Sequence, residues 1–529
     1  MHYQNREYPY QTPPELKGEN PGKYPVAIVG AGPIGMAMAI DLALHGIRSV
    51  ILDDNNKVSV GSRAICWAKR TLEIFDRLGI GDRMLEKGVT WKVGRLFYGE
   101  KEVFNFDLLP DDAHKMPAFI NLQQYYVEEY LVDRIADFPD LIDLRWLSKV
   151  TGEKIEDDGV TLHVQTAEGN YDLRAGYVLA CDGCKSQIRQ RMGLAFEGQI
   201  FEEHFLITDV EMPEPPFESE TPERWFWFNP PFHAGQSALL HRQPDNIYRI
   251  DLQLGPDADP IEEAKSEHVI PRVKQIIGDR EFKIDWVSVY SFTCAMLERF
   301  VHGRVIFVGD SAHVVSPFGA RGGNGGIQDV DNLGWKLAAV LKGEAEPVLL
   351  DSYDEERRHG ARENIKNSSR ATNFMTPKSK METIFRDSVL TLASDLPFAR
   401  TLVNSGRLSV PCTLDGIGLQ MPHLNKNGAA PGTACPDAPL PGGWLLNQLG
   451  GEFVLLTIGE KARQASLPGV TNLHFENNAA VSAHYGDDVI YLIRPDQHIA
   501  ATLDAEADSE TLERALAYAK GKPALETAS

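Results

Sequence analysis

The feature that most constrains this chain is Gly30-Ala31-Gly32-Pro33-Ile34-Gly35. It directly follows the apolar run Val26 to Val29 and opens a helix-period stretch from Met36 to His45, after which a second apolar strand runs from Ser49 to Leu52. A strand, a glycine turn and a helix in that order leave backbone N–H groups at a helix N-terminus free to meet a pyrophosphate, and the glycines permit the tight turn and the close approach. Asp53 ends the second strand, about 20 residues on, where a carboxylate can accept from adenosine ribose hydroxyls. A turn that needs Gly30, Gly32 and Gly35 only for packing would not explain Asp53. The pattern predicts a dinucleotide-binding unit, and one such unit does not by itself choose between FAD and NAD.

Composition narrows the partners. The 529 residues carry 53 Lys and Arg against 75 Asp and Glu, a net charge of -22, which opposes attraction to nucleic-acid phosphates or anionic lipid. No stretch approaches the roughly 20 apolar residues that cross a bilayer, and the polar start from Met1 to Pro25 has no apolar core of the signal-peptide kind. The expectation is a cytoplasmic protein with no nucleic-acid or membrane partner. Six scattered cysteines do not make a disulfide framework. The one close pair, Cys181 and Cys184, brackets a turn without the thioredoxin context or second ligand pair that redox or zinc chemistry needs, so no metal is expected.

Along the chain, residues 1–24 read as a flexible or draped arm broken by Pro13, Pro14, Gly18, Pro21 and Gly22. Short alternating segments between 88 and 120 precede a helix from Gln123 to about Ala136, and a hairpin spans Val160 to Val178. Residues 200–300 are rich in aromatic, strand-forming segments. A buried strand, Val305 to Val308, leads to a helix from about Gly326 to Leu341. Residues 346–425 are mainly helical, and the Gly/Pro-rich stretch from Asn427 to Gly443 reads as a linker to a small α/β unit.

Two later motifs supply the rest. One is Cys181-Asp182-Gly183-Cys184-Lys185-Ser186 with Arg189. The other runs from Gly303 through Gly309-Asp310, Pro317, Gly319, Gly322-Gly323-Asn324 and Asp329 to Lys336. Together with the first glycine turn they resemble the three fingerprints of the class A FAD-dependent aromatic hydroxylases, the family of p-hydroxybenzoate hydroxylase and phenol hydroxylase, over about Val26 to Arg362. The resemblance implies an α/β fold: a Rossmann-like FAD-binding domain of the glutathione-reductase type (25–87, 121–199 and 301–345), a β-sheet substrate domain (88–120 and 200–300), a helical region (346–425) and a thioredoxin-like C-terminal domain (426–529) lacking a C-x-x-C. It also implies a homodimer, FAD as cofactor, and NADH or NADPH with O2 as co-substrates. Asp54, where many relatives carry a basic residue, points toward NADH.

On the resemblance, Arg63, Gln124, Asp182, Asp310, Gly322, Gly323 and Asn324 join Gly30, Gly32, Gly35 and Asp53 as FAD contacts, and Pro317 lies over the flavin facing substrate. Ile65 stands where some phenol-hydroxylating relatives carry a His or Asp base, so that task must move or vanish. In Tyr248-Arg249-Ile250-Asp251-Leu252-Gln253 the period-2 alternation sets Arg249, Asp251 and Gln253 on one strand face. Arg249 could bind a substrate carboxylate or phenolate, Asp251 could hold or deprotonate a hydroxyl, and Tyr290 is a further candidate. His233 and His241, without a placed partner, read as structural. Trp225-Phe226-Trp227 reads as an aromatic cluster supporting the pocket. The implied activity is monooxygenation of a phenolic ring through a flavin C4a-hydroperoxide. The alternative is Baeyer-Villiger, epoxidising or dearomatising chemistry on a polyketide-like substrate. A non-catalytic flavin carrier would leave the polar β insertion unexplained.

Overall fold

The computed structural model describes residues 3, 5–61, 63–91, 93–108, 113–216, 222–403, 410–423, 425, 428–476 and 478–522. Asn427, the expected start of the linker, lies outside them. Five parallel strands form the heart of the fold, in the order Val305–Phe307, Asn170–Ala180, Tyr24–Val29, Ser49–Leu52 and Ile142–Arg145. Their apolar residues are buried on both faces, as parallel strands covered by helices require. Helix Pro33–Leu44 covers one face and packs against helices Gly322–Leu341 and Gln124–Ile135. A Cβ on Gly334 would run into the Asp41 carboxylate, so these helices meet at a distance only glycine allows.

Strand order reverses at Tyr24–Val29, whose neighbours lead away on opposite sides. A crevice therefore opens at its carboxyl end. Gly30, Asp53 and Cys181 are the residues that follow those three strand ends.

A second sheet of eight strands stands over this crevice, in the order His313–Val314, Lys283–Met296, Glu197–Glu211, Ile247–Gly255, Ser237–Arg242, Glu223–Phe228, Val93–Tyr98 and Lys101–Asp107. All pairs are antiparallel except Glu223–Phe228 with Val93–Tyr98. Tyr248, Ile250 and Leu252 face a buried apolar cluster closed by helix Ser266–Ile277. That helix is the longest non-strand element within the strand-rich stretch 200–300. Strands Cys66–Ala68, Phe119–Asn121 and Val89–Trp91 form a small sheet beside the crevice.

Helix Gly322–Leu341 begins four residues before the expected Gly326. Its first turn is glycine-rich and shows no hydrophobic period, so propensity speaks against it. Packing forms it instead: the Asn324 side chain ties the turn to Ala68 N and the Cys66 carbonyl, and Gly326 lies against Ile34. The N-terminal arm is draped over the molecule, with Tyr8 stacked on Trp146 and Tyr3 on Tyr125.

Beyond residue 428 a four-stranded sheet runs Thr471–Phe475, Val454–Ile458, Val489–Ile493, Ile499–Asp504, with the first pair parallel and the others antiparallel. It is joined to the main body by buried charges. Arg494 donates twice to Glu356, at 2.7 and 2.9 Å, and to Asp496, while Lys336 donates to Glu356 at 2.7 Å. All four side chains are fully buried.

Candidate active site

A cavity of about 630 Å³ lies between the crevice and the second sheet. Gly30, Gly32, Asp53, Arg63, Gln124, Asp182, Asp310, Gly322, Gly323 and Asn324 all line it, and so do Arg249, Asp251, Tyr290 and Pro317. Gly35 does not. A Cβ there would collide with the Gly30 carbonyl and Ile28, so the third glycine serves helix–strand packing.

The dinucleotide end is built from backbone. Gly30 has φ +111°, and a Cβ on it would strike the Cys181 carbonyl. Helix Pro33–Leu44 has Gly32 as N-cap with no side-chain cap, so its first N–H groups remain open to an anion. Asp53 accepts from Ala31 N at 2.6 Å and Asn55 N at 2.8 Å and so braces the glycine turn itself. Asp182 caps the short helix Gln187–Arg191 through Oδ2, and its buried Oδ1 has no partner. A glycine cradle, open helix N–H groups and an orphaned carboxylate oxygen fit a dinucleotide. Gly30→Ala is expected to reduce bound flavin at least tenfold, measured as the flavin-to-protein absorbance ratio after purification, because strained φ and collision act together.

The ring end is set by helix Gly322–Leu341, whose uncapped N-terminus adjoins the cavity. Beneath it, buried Asp329 accepts from His313 Nε2 at 2.6 Å, Arg357 Nε at 2.6 Å and Gly309 N at 3.0 Å. Burial alone would raise this carboxyl, but His313 and Arg357 outweigh it and hold it below the ordinary range. The Asn324 side chain is spent on Ala68 N, Cys66 O and Ala320 O. Any contact it makes to a flavin edge therefore falls to its backbone. The Gln124 amide likewise spans Ala64 N at 3.1 Å and Glu128 at 2.7 Å.

The opposite wall is one face of the second sheet. Register aligns Arg224, His241, Arg249, Asp209 and Trp286 in a row across five strands, and Phe226, Leu239, Asp251, Ile207 and Ser288 in the next. Arg249 is gripped by Asp209 through Nε and Nη2, both at 2.8 Å, and both residues are buried. Arg249, expected as a candidate for binding a substrate carboxylate or phenolate, thus has its charge matched by Asp209. Asp251 is different. Its buried Oδ1 has no partner, and desolvation, opposed by Arg249 and Arg224, raises its pKa to about 6. Gln253, expected beside them, turns to Ser237 N and Glu203. Arg224, His241 and Asp209 were not singled out as site residues from the sequence. Only cross-strand register brings them together, and period-2 alternation within each strand is the sole local signal.

The family described as FAD binding domain matches residues 23–368. A flavin-dependent monooxygenase of Mycobacteroides abscessus is 32% identical over 356 residues, 63% of this chain and 70% of that protein. The 12-dehydrotetracycline 5-monooxygenase/anhydrotetracycline 6-monooxygenase of Streptomyces rimosus is 29% identical over 520 residues, 95% of this chain and 100% of its own. Among solved structures, the flavin-dependent monooxygenase PieE, in complex with FAD and substrate, superposes with a TM-score of 0.79 at 23% identity, covering 95% of this chain and 100% of that one, a likeness of fold.

Proposed function

Because the chain belongs to the FAD-binding-domain family of flavin-dependent monooxygenases, we propose that it hydroxylates a phenolic or enolic aromatic ring, with NADH or NADPH as reductant and O2 as oxygen source. The observation that carries this reading is Asp251, a buried carboxylate with an unpartnered oxygen on the cavity wall and a pKa near neutrality. At pH 7 such a group is mostly ionised yet basic enough to take a proton from a ring hydroxyl, which enriches the ring in electrons.

FAD, when bound, would accept hydride, reduce O2 and deliver one oxygen atom. The remaining tasks belong to this chain. Gly30, Gly32 and Asp53 would hold the adenosine and pyrophosphate, Arg63, Asp182 and Asp310 the ribityl side, and Gly322 to Asn324 the pyrimidine edge. Pro317 and its loop would form the flavin side of the substrate space. Tyr290 would hydrogen-bond substrate, and Arg249, paired with Asp209, would bias Asp251 toward its ionised form. The buried sheet face would keep water away from the reacting oxygen. The C-terminal unit would be thioredoxin-like, a reading its strand order supports, and Cys435 in it is free and buried. The assembly is expected to be a homodimer.

NAD(P)H oxidation by the FAD-loaded protein should be stimulated at least tenfold by a hydroxylated aromatic compound and not by the ring that lacks the hydroxyl. Equal rates with and without the hydroxyl would contradict the reading.

A second reading, dearomatising, epoxidising or Baeyer-Villiger chemistry on a polycyclic substrate, is favoured by one feature. Arg224, Leu239, Phe318 and Arg321 are shared between the main cavity and an apolar annex of about 60 Å³ walled by Leu96, Phe228, Phe374 and Met375. The end-to-end likeness to the Streptomyces tetracycline-type monooxygenase bears on the polycyclic substrate alone and not on the reaction. Retained or lost aromaticity in the product separates the two.

A further inference from the structure

We propose that Tyr8, in the N-terminal arm, is a positioning residue for the adenosine half of the dinucleotide: it clasps the two segments that line that end of the cavity and so sets how tightly the cofactor is held. The inference rests on the reading of FAD as the cofactor, and it gives a task to a part of the chain that the reaction does not occupy. The two segments follow neighbouring parallel strands, Ser49–Leu52 and Ile142–Arg145. Asp53 and Asp54 of the first and Ser148, Lys149 and Val150 of the second line the cavity. Backbone hydrogen bonds join them, from Leu147 N to Asn55 O at 3.0 Å and from Ser148 N to Asp53 O at 2.7 Å.

The arm grips both segments. Glu7 forms an antiparallel bridge with Lys57, and Tyr8 N donates to Asn56 O at 2.7 Å, which fixes the first. The Tyr8 ring is stacked on Trp146, with centroids 5.0 Å apart and planes 11° from parallel, and Trp146 is buried in the main core. Further along the arm, Glu15 pairs with buried Arg145 at 2.9 Å. These two holds on the second segment come just before its difficult point. Leu147 has φ +53°, a left-handed conformation that a residue with a side chain adopts at a cost. Such a turn persists where its neighbours over-determine it. The Tyr8 stack, the Glu15–Arg145 pair and the bond from Leu147 N to Asn55 supply that constraint, and the residues delivered by the turn, Ser148 to Val150, form the cavity wall. Tyr8 itself lies outside that wall, so it acts through the segments it holds. Tyr10, on the same arm, reaches instead to Glu168 at 3.4 Å, a residue that does not line the cavity.

The test starts from the FAD-loaded protein and follows displacement of FAD by excess FMN, which carries the flavin but lacks the adenosine half. The exchange equilibrium compares two flavins on one protein and so reads the adenosine half alone; a general loosening of the fold would weaken both and leave the exchange unmoved. Tyr8→Ala should shift it toward FMN about tenfold, the worth of a stacked aromatic pair with its buried area. Tyr8→Leu, which keeps apolar bulk but cannot stack, should shift it in the same direction by less. Tyr8→Phe, which keeps the ring, should match the wild type, and so should Tyr10→Ala. An exchange unchanged in both Tyr8→Ala and Tyr8→Leu, including one in which FMN displaces no FAD from either, would overturn the proposal, as would an equal shift in Tyr10→Ala. A wild-type protein that retains no FAD would overturn the cofactor reading itself, so the two failures are distinguishable.

Discussion

Asp251→Asn is expected to lower kcat/KM for a phenolic substrate by about 10²–10⁴-fold, the range lost when a general base is removed, and at the same time to raise protein stability above pH 6. Both effects have one cause. Burial lifts the carboxyl from 3.8 to about 6 against the pull of Arg249 and Arg224. Between those two values the folded protein keeps a proton that the unfolded chain has released, so stability falls as pH rises across that window, and the penalty is complete above about 6. The corresponding ceiling is about 3 kcal/mol at neutral pH, and asparagine removes it while keeping the shape. In the wild type, kcat/KM should rise with pH through about 6 and then level, and this limb should vanish in the variant. Paired pH-rate profiles and denaturation at pH 5 and pH 8, two values flanking that of Asp251, check both halves. A variant that keeps wild-type kcat/KM would remove Asp251 from the mechanism.

The second large effect is expected far from the chemistry. Arg494→Met should cost about 3–5 kcal/mol, the price of leaving buried charges unmatched. Arg494 and Lys336 balance Glu356 and Asp496, and removing Arg494 leaves two buried carboxylates facing one ammonium. Lys336 carries one charge and is paired with Glu356, so it cannot match both carboxylates. The double change Arg494→Met with Asp496→Asn keeps the Lys336–Glu356 pair and should recover part of the loss. Denaturant unfolding followed by both flavin release and secondary structure would measure it. Because Lys336 lies on the helix whose N-terminus adjoins the cavity, flavin should dissociate earlier in the single variant than in the double.

These two sites also show what can be read from sequence and what cannot. The strands at Ser49–Leu52 and Val305–Phe307 and the helix Gln124–Ile135 follow directly from apolar runs and period, and Gly30 with Asp53 is legible because the turn and its carboxylate are fixed by local geometry. Asp251 is legible as a polar residue on an alternating strand. Its neighbours are not. Asp209 reaches Arg249 across 40 positions, and Arg224 meets His241 only through strand register. His241 read alone is a core histidine. It becomes a site residue once register sets it on the cavity wall opposite Arg224. The Arg494 network is equally hidden, since Lys336 and Glu356 lie on two helices and Asp496 in a turn between strands, with nothing in their local patterns to join them.

The most direct test of the central claim is turnover of the wild-type, FAD-loaded protein under isotopically labelled O2 with NADH or NADPH and a hydroxylated aromatic compound, with product mass followed alongside nicotinamide oxidation. The account predicts a product heavier by one oxygen atom, that atom carrying the label, with the ring still aromatic and nicotinamide consumed in step with it. Nicotinamide oxidation that yields only hydrogen peroxide with every hydroxylated substrate, or product oxygen that comes from water, would contradict it.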